Sequence, residues 1–251
     1  MRSLIFPSII AVSITAPLAF ADTDVDLDSN KDQWSGSAEL GFVSTSGNSD
    51  TNNINGRLGL TQESIQWRTD YSLSSLYSSS DSDTTAEKYA GSLQSNYKFD
   101  TEQFWFVRGA YEKDRFSGYR SKSSVSTGYG NRFWQAKDGS YLEASTGVGY
   151  RDFAIDKDAA ADGESDRGTF VRIAGTFEKH FTANSLFRQE LTSEISTSGG
   201  NTVNESVSAL QANIVDNLAM KLAYRVKYTS DVPSDTDTTD TETTASVLYS
   251  F

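Results

Sequence analysis

Apolar and polar residues alternate with a period of two through almost the whole chain, in segments of about ten residues separated by turn-forming clusters. In the first segment Trp34 and Leu40 are apolar, whereas Ser35 and Glu39 lie between apolar or small neighbours. Twelve such segments follow one another, and the weakest runs from Ser206 to Ile214. Because a side-chain period of two belongs to β-strands, the pattern predicts an all-β chain with an even number of strands.

Composition excludes several classes of protein. No stretch reaches the roughly 18 to 20 uninterrupted apolar residues of a spanning helix, which excludes a polytopic helical membrane protein. The absence of cysteine excludes a disulfide framework and a thiolate metal site. A net charge of −12 with few large aliphatic residues resembles a disordered chain, yet 12 Tyr, 14 Phe and 4 Trp contradict that reading. The fold must therefore accommodate a chain that is polar and aromatic at once.

The first 21 residues have the pattern of a secretory signal peptide. Arg2 supplies the positive charge, Leu4 to Leu18 is an apolar run too short to span a bilayer, and Ala19-Phe20-Ala21 is a small-x-small cleavage site. We therefore expect the mature chain to be exported. A buried amphipathic N-terminal helix is the alternative interpretation of this segment.

Two architectures use alternating strands of this kind: a soluble β-sandwich and a transmembrane β-barrel. The connections alternate in length, which is typical of outer-membrane barrels. The long polar stretches are Ser78 to Thr85, Ala154 to Asp166, Ser196 to Thr202 and Ser230 to Asp240. The short turns lie near Glu63, Asp100 to Gln103, Asp138-Gly139, Ala183-Asn184 and Asp216-Asn217.

The polar face of the segments carries many charges of both signs, which a water-filled lumen tolerates. The twelve basic residues of this parity are Arg57, Arg68, Lys88, Lys98, Arg108, Arg132, Arg151, Arg172, Arg188, Lys221, Arg225 and Lys227. The eight acidic residues are Glu39, Asp70, Glu112, Asp114, Glu143, Glu178, Glu190 and Glu194. We predict that these side chains line a lumen, and their basic excess favours anions if the lumen is open.

Aromatic residues concentrate near the segment ends on the apolar face, as in the girdles that anchor a barrel at the two membrane interfaces. The predicted girdle residues are Trp34, Trp67, Tyr77, Tyr89, Phe99, Trp105, Phe133, Tyr150, Phe177, Phe187 and Tyr228. At the end of the chain, Val247, Tyr249 and Phe251 share this face. Their register resembles the C-terminal signal by which the assembly machinery of outer-membrane barrels recognises its clients.

These features predict a transmembrane antiparallel β-barrel, most simply of twelve strands, with long extracellular loops and short periplasmic turns. The soluble sandwich remains the alternative. The expected organisation is a signal peptide over residues 1–21, a short periplasmic segment over 22–31 and the barrel over 32–251.

Several motifs resemble those of one protein family. They are the run Trp34-Ser35-Gly36-Ser37-Ala38-Glu39-Leu40-Gly41, then Ser46-Gly47-Asn48-Ser49 and Gly56, and later Tyr111 to Phe116 and Gly128-Tyr129-Gly130. In this order and spacing they resemble the YdiY-like family of salt-induced outer-membrane proteins, over essentially the whole mature chain. The resemblance implies a bacterial outer-membrane barrel of unknown activity, in which salt or envelope stress is relevant. The acidic stretches Asp156 to Asp166 and Asp231 to Asp240 depart from the family pattern.

Three functions are compatible with such a barrel. The first is a narrow passive channel for small, weakly anion-preferring solutes, linked to salt or envelope stress. The second is a non-conducting structural or stress-adaptive barrel, in which the same charges interlock and close the lumen. The third, an outer-membrane enzyme, is disfavoured because the only histidine, His180, is expected in a short turn, and Glu190 and Glu194 have arginines as default partners. We expect no enzymatic activity.

Acidic pairs in the long loops are candidate ligands for Ca²⁺ or Mg²⁺, although none has a calcium-loop spacing. The residues concerned are Asp156, Asp158, Asp235 and Asp237. A solvated, self-repelling crown is the preferred interpretation, and divalent ions that bridge these loops to lipopolysaccharide phosphates are the alternative. No other cofactor is expected. The expected partners are outer-membrane lipid, lipopolysaccharide and the barrel assembly machinery, and no exposed basic patch suggests nucleic acid.

Overall fold

Twelve antiparallel strands form a closed barrel in the computed structural model, which describes residues 32–45, 51–80, 83–115, 119–155, 165–232 and 237–251. The strands are β1 Gln33–Thr45, β2 Thr51–Glu63, β3 Trp67–Ser80, β4 Asp83–Lys98, β5 Gln103–Asp114, β6 Tyr119–Gln135, β7 Tyr141–Ile155, β8 Ser165–Thr182, β9 Ser185–Ser196, β10 Val203–Val215, β11 Leu218–Thr229 and β12 Thr239–Ser250. Each strand pairs with its sequence neighbours, and β1 pairs with β12. The prediction of a twelve-stranded antiparallel barrel is confirmed.

The two ends of the barrel differ in their connections. The loop end carries the connections 46–50, 81–82, 115–118, 156–164, 197–202 and 230–238, and the turn end carries 64–66, 99–102, 136–140, 183–184 and 216–217. The predicted long stretch Ser78 to Thr85 is wrong in extent, because β3 continues to Ser80 and β4 begins at Asp83. Hydroxyl groups support this extension, since Thr85 Oγ1 donates to Ser78 Oγ at 3.0 Å.

The predicted leader and the predicted N-terminal periplasmic segment lie within 1–31, outside the described residues. Across the part of the chain that the structure does describe, no helix is long and apolar enough to cross a membrane.

The outer face of the barrel is apolar at mid-height. Leu40, Leu58, Leu73, Val107 and Val148 are each at least 50% exposed, as expected for side chains that meet lipid and not a protein core. Towards the turn end this face carries Trp34, Trp67, Phe99, Trp105, Phe133, Phe177 and Phe187, and towards the loop end Tyr77, Tyr89, Tyr150 and Tyr228. The predicted girdle residues thus lie in two belts, and those of the loop-end belt are all tyrosines.

The weak alternation of β10 has a structural reason. Its outward side carries Ser206 and Ser208, and both hydroxyls bond the Gln189 side chain of β9. Gln189 Nε2 donates to Ser206 Oγ at 3.0 Å, and Ser208 Oγ donates to Gln189 Oε1 at 2.5 Å. Polar groups that satisfy one another are far less costly at a lipid face than unpaired ones.

Phenylalanine also faces inward, which the sequence analysis did not predict. Phe106 on β5 and Phe170 on β8 are each only 1% exposed. Their rings lie over lumen-facing glycines of β7: a Cβ atom would come within 2.9 Å of the Phe106 ring at Gly147 and within 2.5 Å of the Phe170 ring at Gly149. The glycines therefore leave room for rings to lie against the inner wall.

Gly128 on β6 faces the same wall, and alanine there is expected to weaken the barrel. An added Cβ would meet the backbone of Thr146 and Gly147 on β7, which cannot move without disturbing the strand pairing. Overpacking of this kind costs about 1–3 kcal/mol, so Gly128→Ala should lower the free energy of unfolding by about that amount in urea titrations in lipid vesicles.

Gly109→Ala is the matched control for this prediction. Gly109 lies on the outer face of β5, and a Cβ there would meet nothing within 4 Å. Alanine should be neutral or slightly stabilising at this position, because glycine loses more chain entropy on folding. Equal losses in the two variants would contradict the role assigned to the close approach at Gly128.

Candidate functional site in the barrel lumen

The barrel encloses a polar cavity of about 940 Å³. Its wall includes Asp100 and Glu102 at the turn end and extends to Lys227 and Thr229 near the loop end. The cavity therefore occupies much of the height of the barrel. A polar interior with an apolar exterior is the arrangement expected of a transmembrane barrel.

Most of the charged residues proposed for the lumen lie on this cavity wall. They are Arg57, Arg68, Asp70, Lys88, Lys98, Arg108, Glu112, Arg132, Glu143, Arg172, Arg188, Glu190, Glu194, Arg225 and Lys227. Five others lie away from the wall of the cavity: Glu39, Asp114, Arg151, Glu178 and Lys221. The alternation did not identify six further charged residues of the wall, namely Glu63, Asp100, Glu102, Lys122, Glu205 and Glu242. They lie in a short turn, near segment ends or in the weak β10, where alternation gives little information about which face a side chain occupies.

One group of charges crosses the lumen, and we call Lys88, Glu112, Lys122 and Lys227 the cross-lumen cluster. Lys227 Nζ donates to Glu112 Oε1 at 2.9 Å. Their strands, β11 and β5, are six places apart in the closed order of twelve, so they lie on opposite sides of the barrel. Lys88 and Lys122, on the strands that flank β5, approach the same carboxylate at 3.2 and 3.6 Å. Glu112 therefore joins both walls of the lumen.

Residues of the loop-end connections fold over the same end of the lumen. The Tyr119 hydroxyl of β6 accepts a hydrogen bond from Asn201 Nδ2 at 3.0 Å and donates to the carbonyl of Asp231 at 3.4 Å. Arg151 Nη2 donates to the carbonyl of Asn201. Asn201 precedes β10 and Asp231 follows β11, so these contacts link the β6 and β7 side of the rim to the far side. The lumen is consequently narrowed near its loop end.

The turn-end half of the lumen contains pairs between near neighbours. Arg188 Nη1 donates to Glu178 Oε2 at 2.9 Å, and its Nε donates to Glu190 Oε1 at 2.6 Å. Arg132 Nη2 donates to Glu143 Oε2 at 2.9 Å. Each of these pairs joins residues of the same strand or of neighbouring strands and does not cross the lumen.

Glu39 and Lys221 form a buried pair beside the junction of β1 and β12. Lys221 Nζ donates to Glu39 Oε2 at 2.9 Å, and Ser246 Oγ donates to Glu39 Oε1 at 2.7 Å. Glu39 is 5% exposed. Three consecutive strands, β11, β12 and β1, therefore share one carboxylate where the sheet closes.

His180 lies within β8 and not in the predicted turn, which occupies residues 183–184. Its Nε2 is 3.2 Å from Glu178 Oε1, and its backbone N–H donates to Ser140 Oγ at 3.0 Å. In the neighbouring turn, the backbone N–H of Ser140 and the Lys179 ammonium hold the pKa of Asp138 below its usual range. These contacts tie the β6–β7 turn to β8.

The sequence offers four aspartates in the long loops as candidate metal ligands. Asp156, Asp158 and Asp235 lie outside the described residues, and Asp237 is exposed. Among the described residues, no group of three or more His, Cys, Asp or Glu side chains is arranged to hold a metal ion.

Comparisons with known proteins agree with this architecture. Residues 38–251 match the family described as "Protein of unknown function, DUF481". The chain is 28% identical over 231 residues to the uncharacterized protein YdiY of Escherichia coli (strain K12), covering 89% of this chain and 85% of that protein.

Solved structures with similar folds are outer-membrane proteins. The NanC porin superposes with a TM-score of 0.52 at 11% identity, over 85% of this chain and 98% of the porin. The translocator domain of the autotransporter NalP from Neisseria meningitidis gives a TM-score of 0.49 at 8% identity, over 90% of each chain. At these identities the likeness concerns the fold alone. The chain belongs to the DUF481 family, is similar to YdiY, and folds as a barrel that resembles those of outer-membrane porins.

Proposed function

We propose that the protein is a narrow passive channel for small solutes, with a weak preference for anions. The observation that carries this proposal is the charged cavity of about 940 Å³ inside the barrel, which extends from the turn end to the cross-lumen cluster. A wall of this kind replaces part of the hydration shell of a permeating ion. The cross-lumen cluster is then the narrowest part of the pathway, and its pairing controls the current.

The preference for anions rests on incompletely paired arginines. Among the described residues, Arg57 and Arg108 have no carboxylate within 4.0 Å, whereas the carboxylates of Glu112, Glu143, Glu190 and Glu205 each have a basic partner. Positive potential should therefore exceed negative potential along the middle of the lumen.

Planar-bilayer recordings of the purified protein test this function. We expect stepwise single-channel currents, and under a salt gradient a reversal potential of the sign that marks anion preference. Absence of current would exclude the channel, and a cation preference would exclude the argument from lumen charge.

A second function is favoured by the contacts that cross the lumen. If the Lys227–Glu112 pair and the Tyr119 contacts hold at all times, the protein is a non-conducting structural or stress-adaptive barrel, and its acidic loops bind divalent cations and lipopolysaccharide. Its loss would then change osmotic or detergent sensitivity although the purified protein carries no current. A dependence of barrel stability on Mg²⁺ that disappears in the Asp235→Asn, Asp237→Asn double variant would support this role.

We further propose that salt or envelope stress is the setting of this function and that the role is not enzymatic. The strongest support for the latter is that Arg188 binds both Glu178 and Glu190, which removes these carboxylates as free bases. Recognition by the assembly machinery is proposed to use Val247, Tyr249 and Phe251, all exposed on the outer face of the closing strand or just beyond it.

A further inference from the structure

Two arginines near the middle of the lumen, Arg108 and Arg172, have no hydrogen bond to a carboxylate among the described residues, unlike Arg188 and Arg225. Arg172 on β8 is 8% exposed, and its buried Nε atom has no hydrogen-bond partner. Its nearest carboxylate oxygen, Glu194 Oε1, is 3.7 Å away, which is too far for a hydrogen bond. Arg108 on β5 belongs to the same cavity wall and, within the described ranges, has no ion pair.

Most carboxylates near this pair are already held by other arginines. Arg108 and Arg172 repel each other, and both are attracted by Glu194 and Glu205. Glu205 is bound by Arg225 at 2.8 Å. Glu190, which also attracts Arg108, is bound by Arg188 at 2.6 Å. Among the described residues, Glu194 is therefore the carboxylate near both arginines that has no hydrogen bond to another arginine.

Small residues occupy the strand positions between the two arginines. Arg108 on β5 is aligned across the sheet with Ser126 on β6 and Gly149 on β7. Arg172 on β8 is aligned with Gly147 on β7 and Gly128 on β6. These positions carry no side chain, or only a hydroxymethyl group, and the buried Phe106 and Phe170 rings pack against the glycines of β7. Each arginine is two residues from one of these rings, and charges beside apolar groups interact more strongly than charges in bulk water.

We propose that Arg108 and Arg172 form a binding site for a small monovalent oxyanion of the carboxylate class. A carboxylate offers two oxygens to planar guanidinium donors, which a spherical halide does not. One such anion would supply the acceptor that Arg172 Nε lacks and a carboxylate partner for Arg108. This inference rests on the proposed channel function only where the site is given a role in transport. The anion can bind to the two arginines whether or not the barrel conducts ions.

Titration of ¹³C-labelled acetate, followed by NMR line broadening on the folded barrel in detergent micelles at constant ionic strength, tests this site. We expect saturable broadening, with affinity about tenfold weaker in Arg108→Gln and Arg172→Gln, as for loss of one charge-assisted hydrogen bond. Arg172→Lys should also weaken binding, because lysine keeps the charge and loses the planar fork. Heat-modifiable mobility on gels verifies that each variant is folded.

Arg57→Gln is the matched control, because Arg57 is a lumen arginine on β2 without an ion pair among the described residues. It should change acetate affinity less than about twofold, if position and not lumen charge decides binding. Equal weakening in all three Gln variants, full binding by Arg172→Lys, or broadening without saturation would overturn the site. Saturable binding without bilayer current would instead overturn the channel alone.

Discussion

Glu39→Leu is expected to lower the free energy of unfolding of the barrel by about 3–5 kcal/mol, the usual result when one member of a buried ion pair is removed. Glu39 is 5% exposed and accepts hydrogen bonds from Lys221 Nζ and Ser246 Oγ. Leucine would leave the ammonium group of Lys221 without its partner. Urea titration of the vesicle-inserted barrel, followed by tryptophan fluorescence, measures the loss.

The position of Glu39 increases this expected effect. The register of β1 with β12 covers five residue pairs, Ser37 to Gly41 with Ser250 to Ser246, and the Gly36 and Phe251 backbones add two hydrogen bonds of 2.7 and 2.9 Å. By contrast, β1 and β2 pair over thirteen residues. A carboxylate that holds β11 and β12 to β1 therefore acts where the barrel has its shortest ladder.

Two controls separate the buried charge from other causes. The double variant Glu39→Leu, Lys221→Met should recover part of the stability, because no unpaired charge remains. Glu63→Leu removes a partner of Lys98 at a half-exposed position, where an ion pair is better solvated than at Glu39 and contributes about 1 kcal/mol or less. Equal losses in Glu39→Leu and Glu63→Leu would contradict the assigned role.

The strands and their facing were predictable because alternation is a local property. Val107 and Arg108, for example, are adjacent in sequence and lie on opposite faces, as the period of two requires. Alternation did not predict the facing of residues whose position depends on a neighbouring strand. Ser206 and Ser208 face outward because Gln189 on the neighbouring strand satisfies them.

The inward phenylalanines show a second limit of the sequence. Aromatic residues were assigned to lipid as a class, yet Phe106 shares the parity of Arg108 and faces the lumen. The missing information was the pairing of β5, β6 and β7, which sets Gly147 beneath the Phe106 ring. The position of Phe106 in the alternation indicates that it faces the lumen. Only the strand register shows that a glycine leaves room there for its ring.

Contacts across the lumen could not be predicted from the sequence. Alternation assigns Glu112 and Lys227 to the interior, but 115 residues separate them along the chain. Their meeting depends on the number of strands, which sets β5 opposite β11, and on the stagger between strands, which sets their heights. Whether lumen charges pair along the wall or across it is therefore a property of the closed barrel.

Lys227→Met is expected to raise single-channel conductance several-fold. The substitution removes the contact between opposite walls and leaves Lys88 and Lys122 to neutralise Glu112, so no carboxylate is left unpaired. Because added salt weakens even a partly buried ion pair to some extent, the wild-type current should also rise more steeply with salt concentration than bulk conductivity does. That excess steepness should disappear in Lys227→Met.

Lys88→Met is the matched control for this experiment, since it removes the same charge from the same carboxylate. Lys88 lies on β4, next to β5, so its contact with Glu112 runs along the wall and does not cross the lumen. Its conductance should stay close to that of the wild type. If both variants conduct equally, the gain reflects lost charge and not an opened contact, and the cross-lumen cluster does not limit the current.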